Sequence, residues 1–336
     1  MAAFTFALPP ELSAAAPPER RGLRRDHVRL LVLDRATGEA THSRFDRLGD
    51  FLRPGDLLVL NNSRTLPAVL PARAPDGQPV EIRLAHRLGE DRWRALLVGG
   101  PAVRPGLRLL LPEGLEAEVS EHREGEPLSV IRFSRSGTAL YDTLYRIGQP
   151  VRYEYIREPW GLDYYQTVFA AAPGSVEMPS AGRAFTWELL LRLRRQGIGI
   201  AFLSLHAGLS YLLDDRWVKD PRYTPEAYTI PAETAAAVDR AKRSGGRVVA
   251  VGTTVVRALE SEALTGQRSG WASLFIHREF PLRVVDGLIT GLHEPEATHL
   301  DLLSALMEPE RLREAYQEAI ARGYLWHEFG DANLIL

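Results

Sequence analysis

One segment combines a ligand-type turn with charged groups on the helix that follows it: Arg247-Val-Val-Ala-Val-Gly252-Thr253-Thr254-Val-Val-Arg257-Ala-Leu-Glu260. The apolar run reads as a buried strand. Gly252 breaks it, two hydroxyls follow, and a helix begins that carries Arg257 and Glu260. Such a strand-turn-helix unit offers backbone N–H groups and threonine hydroxyls to an anion or a polar ligand. The same residues also fit an ordinary βα loop in which Thr254 caps the helix. Gly-Thr-Thr alone is a weaker signal than a full phosphate loop.

Other polar turns follow apolar runs. Ser204-Leu205-His206 ends one, with Gly208 close behind, and Asp286-Gly287 ends another. His206 there is either a capped strand end or an acid/base imidazole. Asn61-Asn62-Ser63-Arg64 packs amide, hydroxyl and guanidinium groups into one turn. Such groups satisfy backbone atoms and also suit a sugar or phosphate. Tyr165 and Gln166 lead into a Gly/Ala/Pro-rich loop, Ala170 to Gly182, which is costly to order unless it closes over something. Near the C-terminus Gly330-Asp331-Ala332-Asn333 precedes Leu334-Ile335-Leu336, an apolar end that needs a core to pack against. Glu294 and Glu296 flank Pro295 near His293 and His299, but proline breaks any shared helical face, so no metal is expected. No nucleophile elbow or dinucleotide fingerprint is present.

The periodicity predicts how these groups are carried. Val28–Leu33 reads as a strand with a turn at Thr37-Gly38. From residue 56 to 150, short runs (Leu57–Leu60, Leu66–Leu70, Val80–Leu84, Trp93–Val98, Leu107–Leu110, Leu115–Val119 and Leu128–Phe133) recur between Pro-Gly, Asp-Gly and Glu-Gly pairs. That spacing predicts a small β-barrel or sandwich. Thr138–Ile147 reads as a helix leading out. Beyond Pro150, helices at Thr186–Gln196, Ala232–Ser244, Thr254–Leu264, Glu296–Leu306 and Glu310–Arg322 alternate with strands at Ile198–Leu205, Val248–Val251, Leu274–Ile276 and Leu282–Val285. The fold class is therefore α/β: a mixed or largely parallel sheet domain, residues 1–55 plus 151–336, with a small β-barrel domain, 56–150, inserted in it. Ligands in such sheets sit at the carboxyl ends of the strands. That rule gathers His206, Gly252-Thr253-Thr254 and Asp286-Gly287 into one site.

The 336 residues carry no cysteine, which excludes disulfides and thiolate chemistry. The net charge of −2 gives no whole-molecule attraction for nucleic acid. Only Lys219 and Lys242 are lysines. Arginines cluster at 20–25, 192–195 and 240–247, and one such face suffices to bind RNA. No apolar stretch approaches the ~18 residues of a membrane span. The expectation is a cytoplasmic monomer with no membrane contact.

In order along nearly the whole chain, these motifs resemble the S-adenosylmethionine:tRNA ribosyltransferase-isomerase family of queuosine biosynthesis. The matching residues are Leu30–Asp34, Pro54–Asn61 with Ser63-Arg64, Tyr165–Val168, Pro179 with Ala181-Gly182 and Phe185-Thr186, Leu205-His206, Gly252–Thr254 with Arg257 and Glu260, Val285–Thr290, His293 and Gly330–Ala332. The resemblance implies transfer and isomerisation of the ribosyl unit of S-adenosylmethionine onto 7-aminomethyl-7-deazaguanine at the wobble position of tRNA. The product is epoxyqueuosine, and adenine and methionine leave. S-adenosylmethionine is then a substrate, and no prosthetic group or metal is implied. The expected catalytic set is His206 as acid or base, Arg257 and Glu260 as charge stabilisers, and His293 and Asp331 in support. The expected substrate-binding set is Asn61, Ser63, Arg64, Tyr165, Gln166, Gly182, Thr186, Gly252, Thr253 and Thr254.

This chain departs from the family pattern at four places. Arg183-Ala184 stands where Leu-His is usual, Asn62 where Asp is usual, and Tyr223-Thr224 where Met-His is usual. The stretch after His206 is Ala207-Gly208-Leu209-Ser210-Tyr211. Two further readings stay open: a non-catalytic relative that binds tRNA or an adenosyl compound, and a transferase acting on a small molecule.

Overall fold

The structure, a computed structural model, describes residues 4–210, 212, 222, 224–295 and 297–336. Tyr211, Lys219, Tyr223 and Glu296, singled out above, lie outside them.

A nine-stranded sheet forms the larger body. Its order is Ser269–Ala272, Glu226–Thr229, Gly199–Leu205, Leu57–Asn61, Val248–Val251, Gly287–Gly291, Ala332–Ile335, Arg29–Leu33 and Ala40–Arg44. The four strands from Gly199–Leu205 to Gly287–Gly291 run parallel. Ala332–Ile335 runs antiparallel to its neighbour Gly287–Gly291. Its N-terminus, with Asp331, therefore lies at the edge where the parallel strands end.

Side chains alternate between the two faces of this sheet, as the period of two demands. Leu57, Val59, Val248 and Ala250 join one core with helices Ala232–Arg243 and Thr253–Thr265. Leu58, Leu60, Val249 and Val251 join a second core with helix Trp187–Arg195. Burial on both faces is why these strands read as continuous apolar runs.

A closed six-stranded barrel is the second body: Val69–Arg73, Pro79–Arg87, Arg92–Gly99, Arg108–Leu110, Glu116–Glu121 and Leu128–Phe133. It has its own core around Ile82, Trp93 and Ile131. Helix Gly137–Ile147 packs its Leu140 and Leu144 there.

Four expectations need correction. The Leu57–Asn61 strand, counted above with the barrel block, lies inside the large sheet, because both its faces are apolar and it pairs with two parallel strands. Leu282–Val285 is not a strand. Its N–H groups at Val284 and Val285 are instead held by the Glu260 carboxylate. Leu274–Ile276 also stays out of the sheet, where Ser269–Ala272 pairs instead. Asp286 consequently precedes the next strand, at the edge opposite the site, where its carboxylate takes the Val248 N–H and the Lys242 ammonium.

Candidate active site

Gly252 has φ 101° and ψ 149°, a backbone state open only to glycine. That turn lets the chain leave Val251 and start the helix at Thr253. Gly252 supplies no side-chain cap, and the helix begins where strand Val248–Val251 ends, so its N-terminus lies at the sheet edge. An N-terminal end of this kind attracts negative charge or ligand oxygen. A Cβ on Gly252 would lie 3.5 Å from Ala181, so the Ser180–Gly182 turn stands directly over it.

Asn61 is buried and ties this region together. Its side-chain N–H₂ donates to the Leu205 carbonyl at 2.8 Å, and its Oδ1 accepts from Leu205 N at 3.0 Å and Ser63 N at 3.0 Å. Thr254 Oγ1 is a further 3.5 Å from Nδ2. Asn61 thus sets the spacing between the His206 strand and the threonine turn, and its amide is used up in doing so.

His206 is held by a chain of hydroxyls. Ser63 Oγ lies 2.7 Å from His206 Nδ1 and 2.7 Å from Ser175 Oγ, and Ser175 Oγ accepts from Ala207 N at 3.0 Å. Ser63 and Ser175 meet because Ser63–Thr65 pairs in parallel with Ala172–Ser175. Burial lowers the His206 pKa, and the positive charge of Arg87 lowers it further. The ring is therefore neutral at pH 7. A neutral imidazole hydrogen-bonded at Nδ1 presents Nε2 as the atom free to take or give a proton.

Arg257 sits one turn into the helix, ion-paired with Glu226, whose other oxygen accepts from Gly208 N at 3.2 Å. Arg257 also donates to the Ala272 carbonyl at 2.7 Å. Burial raises the Glu226 pKa against the pull of Arg257. This pair braces the loop that follows His206. Thr290 Oγ1 is 2.7 Å from His293 Nε2, and the His293 ring stacks on His299 at 4.5 Å. Burial pushes His293 well below its ordinary range and His299 down to about 4, so both are neutral.

Beside Gly252 and Thr290 a narrow cleft opens, lined by Ala181, Ala184, Thr290, His327, Glu328 and Asp331. Ala184, where the family motif has histidine, lies on its wall. Arg183 also lines it, buried, with its guanidinium on Glu19 at 2.8 Å, on the Tyr164 carbonyl at 2.8 Å and over the Phe329 ring at 5.1 Å. Two acids not singled out above belong to this region. Burial raises Glu328 to about 8, with the charge of Glu177 adding to it, and burial raises Glu177 to about 7. Glu328 lines the cleft with its Oε2 buried and without a hydrogen-bond partner, while Glu177 holds Tyr153 Oη and Ser210. A glutamate between Trp326 and Phe329, both large apolar residues, was the signal available in the sequence for Glu328.

Several expected site residues are committed to the fold. Glu260 is fully buried, and its carboxylate accepts from Arg283 N at 2.9 Å and from Val284 and Val285 N at 3.0 Å each. It touches no open space and is a strut, a correction to the charge-stabiliser role. Asp331 Oδ1 accepts from Arg29 N at 2.7 Å and Oδ2 from Leu325 N at 2.8 Å, so it clasps two backbone segments at the cleft rim. Gln166 bonds both the N–H and the carbonyl of Thr65, taking the place of a strand neighbour. Tyr165 is buried against Phe329. Thr186 caps helix Trp187–Arg195 through Leu189 N and donates to Asp26. Gly182 gives room to the Phe169 ring, which would lie 2.9 Å from a Cβ. Arg64 is exposed and points to the barrel side, over Tyr145.

The sequence matches the family described as queuosine biosynthesis protein over residues 1–335. It is 43% identical to an S-adenosylmethionine:tRNA ribosyltransferase-isomerase of Thermus thermophilus, covering 99% of both chains. It is 41% identical to the protein of that name from Carboxydothermus hydrogenoformans, covering 99% of this chain and 98% of the relative. A solved structure titled S-adenosylmethionine tRNA ribosyltransferase, from Thermotoga maritima, superposes over 100% of both chains with a TM-score of 0.58 at 33% identity.

Proposed function

The chain belongs to the queuosine biosynthesis family and is an S-adenosylmethionine:tRNA ribosyltransferase-isomerase, and from that premise we propose that it works at the sheet edge between His206, Thr254 and the Asp331 cleft. S-adenosylmethionine is the ribosyl donor and the aminomethyl-deazaguanine of tRNA the acceptor. The relatives' shared name favours this over a non-catalytic binding protein or a small-molecule transferase.

The reaction sets three demands. A base must take the proton that the sulfonium acidifies at C5′. Adenine must leave with a proton or a hydrogen bond on the purine. The attacking amine must be neutral. Neutral His206 meets the first or the third through Nε2. The helix N-terminus with the Thr253 and Thr254 hydroxyls meets the need for oxygen-binding groups around the ribose or carboxylate. Protonated Glu328 in the cleft meets the second, as a donor to the departing purine. Positions that carry histidine in the family motifs are Ala184 and Thr224 here, so proton transfer rests on His206 and Glu328.

The observation that carries the reading is the Ser175–Ser63–His206 chain, which fixes one neutral imidazole beside the open turn. The test is incubation with S-adenosylmethionine and tRNA bearing the aminomethyl base. Free adenine and a mass gain on the tRNA are expected, and neither product would mean the reading fails. No helix among the described residues is long and apolar enough to cross a membrane. A cytoplasmic monomer completes the proposal, with sizing chromatography as the check on oligomeric state.

A further inference from the structure

Arg64 and Arg87 are both exposed, one on the short strand Ser63–Thr65 and the other at the end of barrel strand Pro79–Arg87, yet each lies over a tyrosine of one helix. The Arg64 guanidinium is 5.5 Å from the Tyr145 ring centre, and that of Arg87 is 5.5 Å from the Tyr141 ring centre. Tyr141 and Tyr145 are four apart in helix Gly137–Ile147 and so share one face. Among the described residues neither arginine is ion-paired with an acid, and the Arg87 Nε donates only to the Gly89 carbonyl, at 2.9 Å. Exposed Arg94 is the strand partner of His86, beside Arg87.

This patch adjoins the acid/base histidine. Arg64 follows Ser63, which holds His206. Arg87 is close enough to lower the His206 pKa. His86 packs against Gly208, where a Cβ would lie 2.0 Å from the ring, so the barrel wall is seated on the loop after His206. Two guanidiniums held over two part-buried tyrosines suit single-stranded RNA, whose phosphates pair with guanidinium and whose unstacked bases stack on exposed guanidinium planes. A net charge of −2 makes a local cationic patch the means by which this chain attracts a polyanion.

The geometry points to Arg64–Tyr145 and Arg87–Tyr141 as the dock for the unpaired loop of the tRNA, holding its backbone so that one extruded base reaches His206. This rests on the tRNA reading above. The test measures tRNA binding to the unaltered enzyme, R64A–R87A, R64K–R87K and the charge control R194A–R195A across a salt series. Losing two phosphate contacts on single-stranded RNA is expected to flatten the log Kd against log salt slope by about 1.4. R64A–R87A is also expected to weaken tRNA binding at least tenfold in a protein that still melts cooperatively. R64K–R87K keeps the slope but loses part of the affinity, because lysine does not stack as a planar guanidinium does. An R64A–R87A slope and affinity equal to those of the unaltered enzyme overturn the dock alone. No tRNA binding by the unaltered enzyme overturns the dock and the tRNA reading together.

Discussion

Gly174→Ala is a small change that strikes the proposed acid/base residue without touching it chemically. A Cβ at position 174 would lie 2.5 Å from His206 Nδ1 and 2.7 Å from Cγ and Cε1. An ordinary van der Waals contact begins at 3.4 Å, so the ring must retreat by about 0.9 Å. The Ser63 Oγ to Nδ1 distance is 2.7 Å, and a retreat of that size along the same direction stretches it to about 3.6 Å, beyond a hydrogen bond. Overfilling of this kind costs about 1–3 kcal/mol of stability. A misplacement of about 1 Å at a proton-transfer group costs about 100-fold in rate. The assay is single-turnover adenine release at saturating S-adenosylmethionine and modified tRNA, with a urea melt on the same sample. The expected result is a folded enzyme whose adenine-release rate falls by about two orders of magnitude. Gly174→Ala with undiminished turnover in a fold of normal stability would refute the argument, since the imidazole would then not need its place.

Glu260→Ala removes the acceptor of the Arg283, Val284 and Val285 N–H groups, of which that of Val285 is buried, and is expected to lower stability by about 1–3 kcal/mol in urea melts, the cost of one orphaned buried donor. Thr254→Val is expected to raise KM for S-adenosylmethionine by about 2- to 10-fold, the worth of one hydrogen bond, with the melting temperature little changed. Glu177 and Glu328, raised to about 7 and about 8 in the folded protein, contribute a pH dependence of stability. The folded chain keeps protons that the unfolded chain releases, so their contribution is full below the unfolded carboxyl range and is lost as pH rises through the folded values. Above about pH 7.5, where the histidines have lost their protons in the folded and the unfolded chain alike, the urea midpoint is expected to fall as pH rises toward about 8.5. Glu328→Gln should flatten that fall, and an equal decline in both proteins would count against the buried acid.

The sequence by itself determined the classes of element and the identity of the chemistry. Uninterrupted apolar strands such as Val248–Val251 are buried on both faces of a sheet, and Gly252 is the residue that its left-handed turn requires. The barrel strands were legible from short runs between turn pairs, but the pairings of Val69–Arg73 with Arg108–Leu110 and of Arg92–Gly99 with Leu128–Phe133, which close it, join distant segments. The terminal strand Ala332–Ile335 was foreshadowed by its apolar end, but its antiparallel place beside Gly287–Gly291 depends on a partner more than forty residues away. Tertiary structure alone decided what each polar side chain does. Glu260 and Arg257 share one helix. One is spent on the N–H groups of Val284 and Val285, while the other braces Glu226 near the site. Ser63 and Ser175 lie more than a hundred residues apart and meet only because two short strands pair across the edge of the fold. Hydrogen-bond partners and burial are set by such long-range pairing, and they turn a list of polar residues into a site with one neutral histidine held in place.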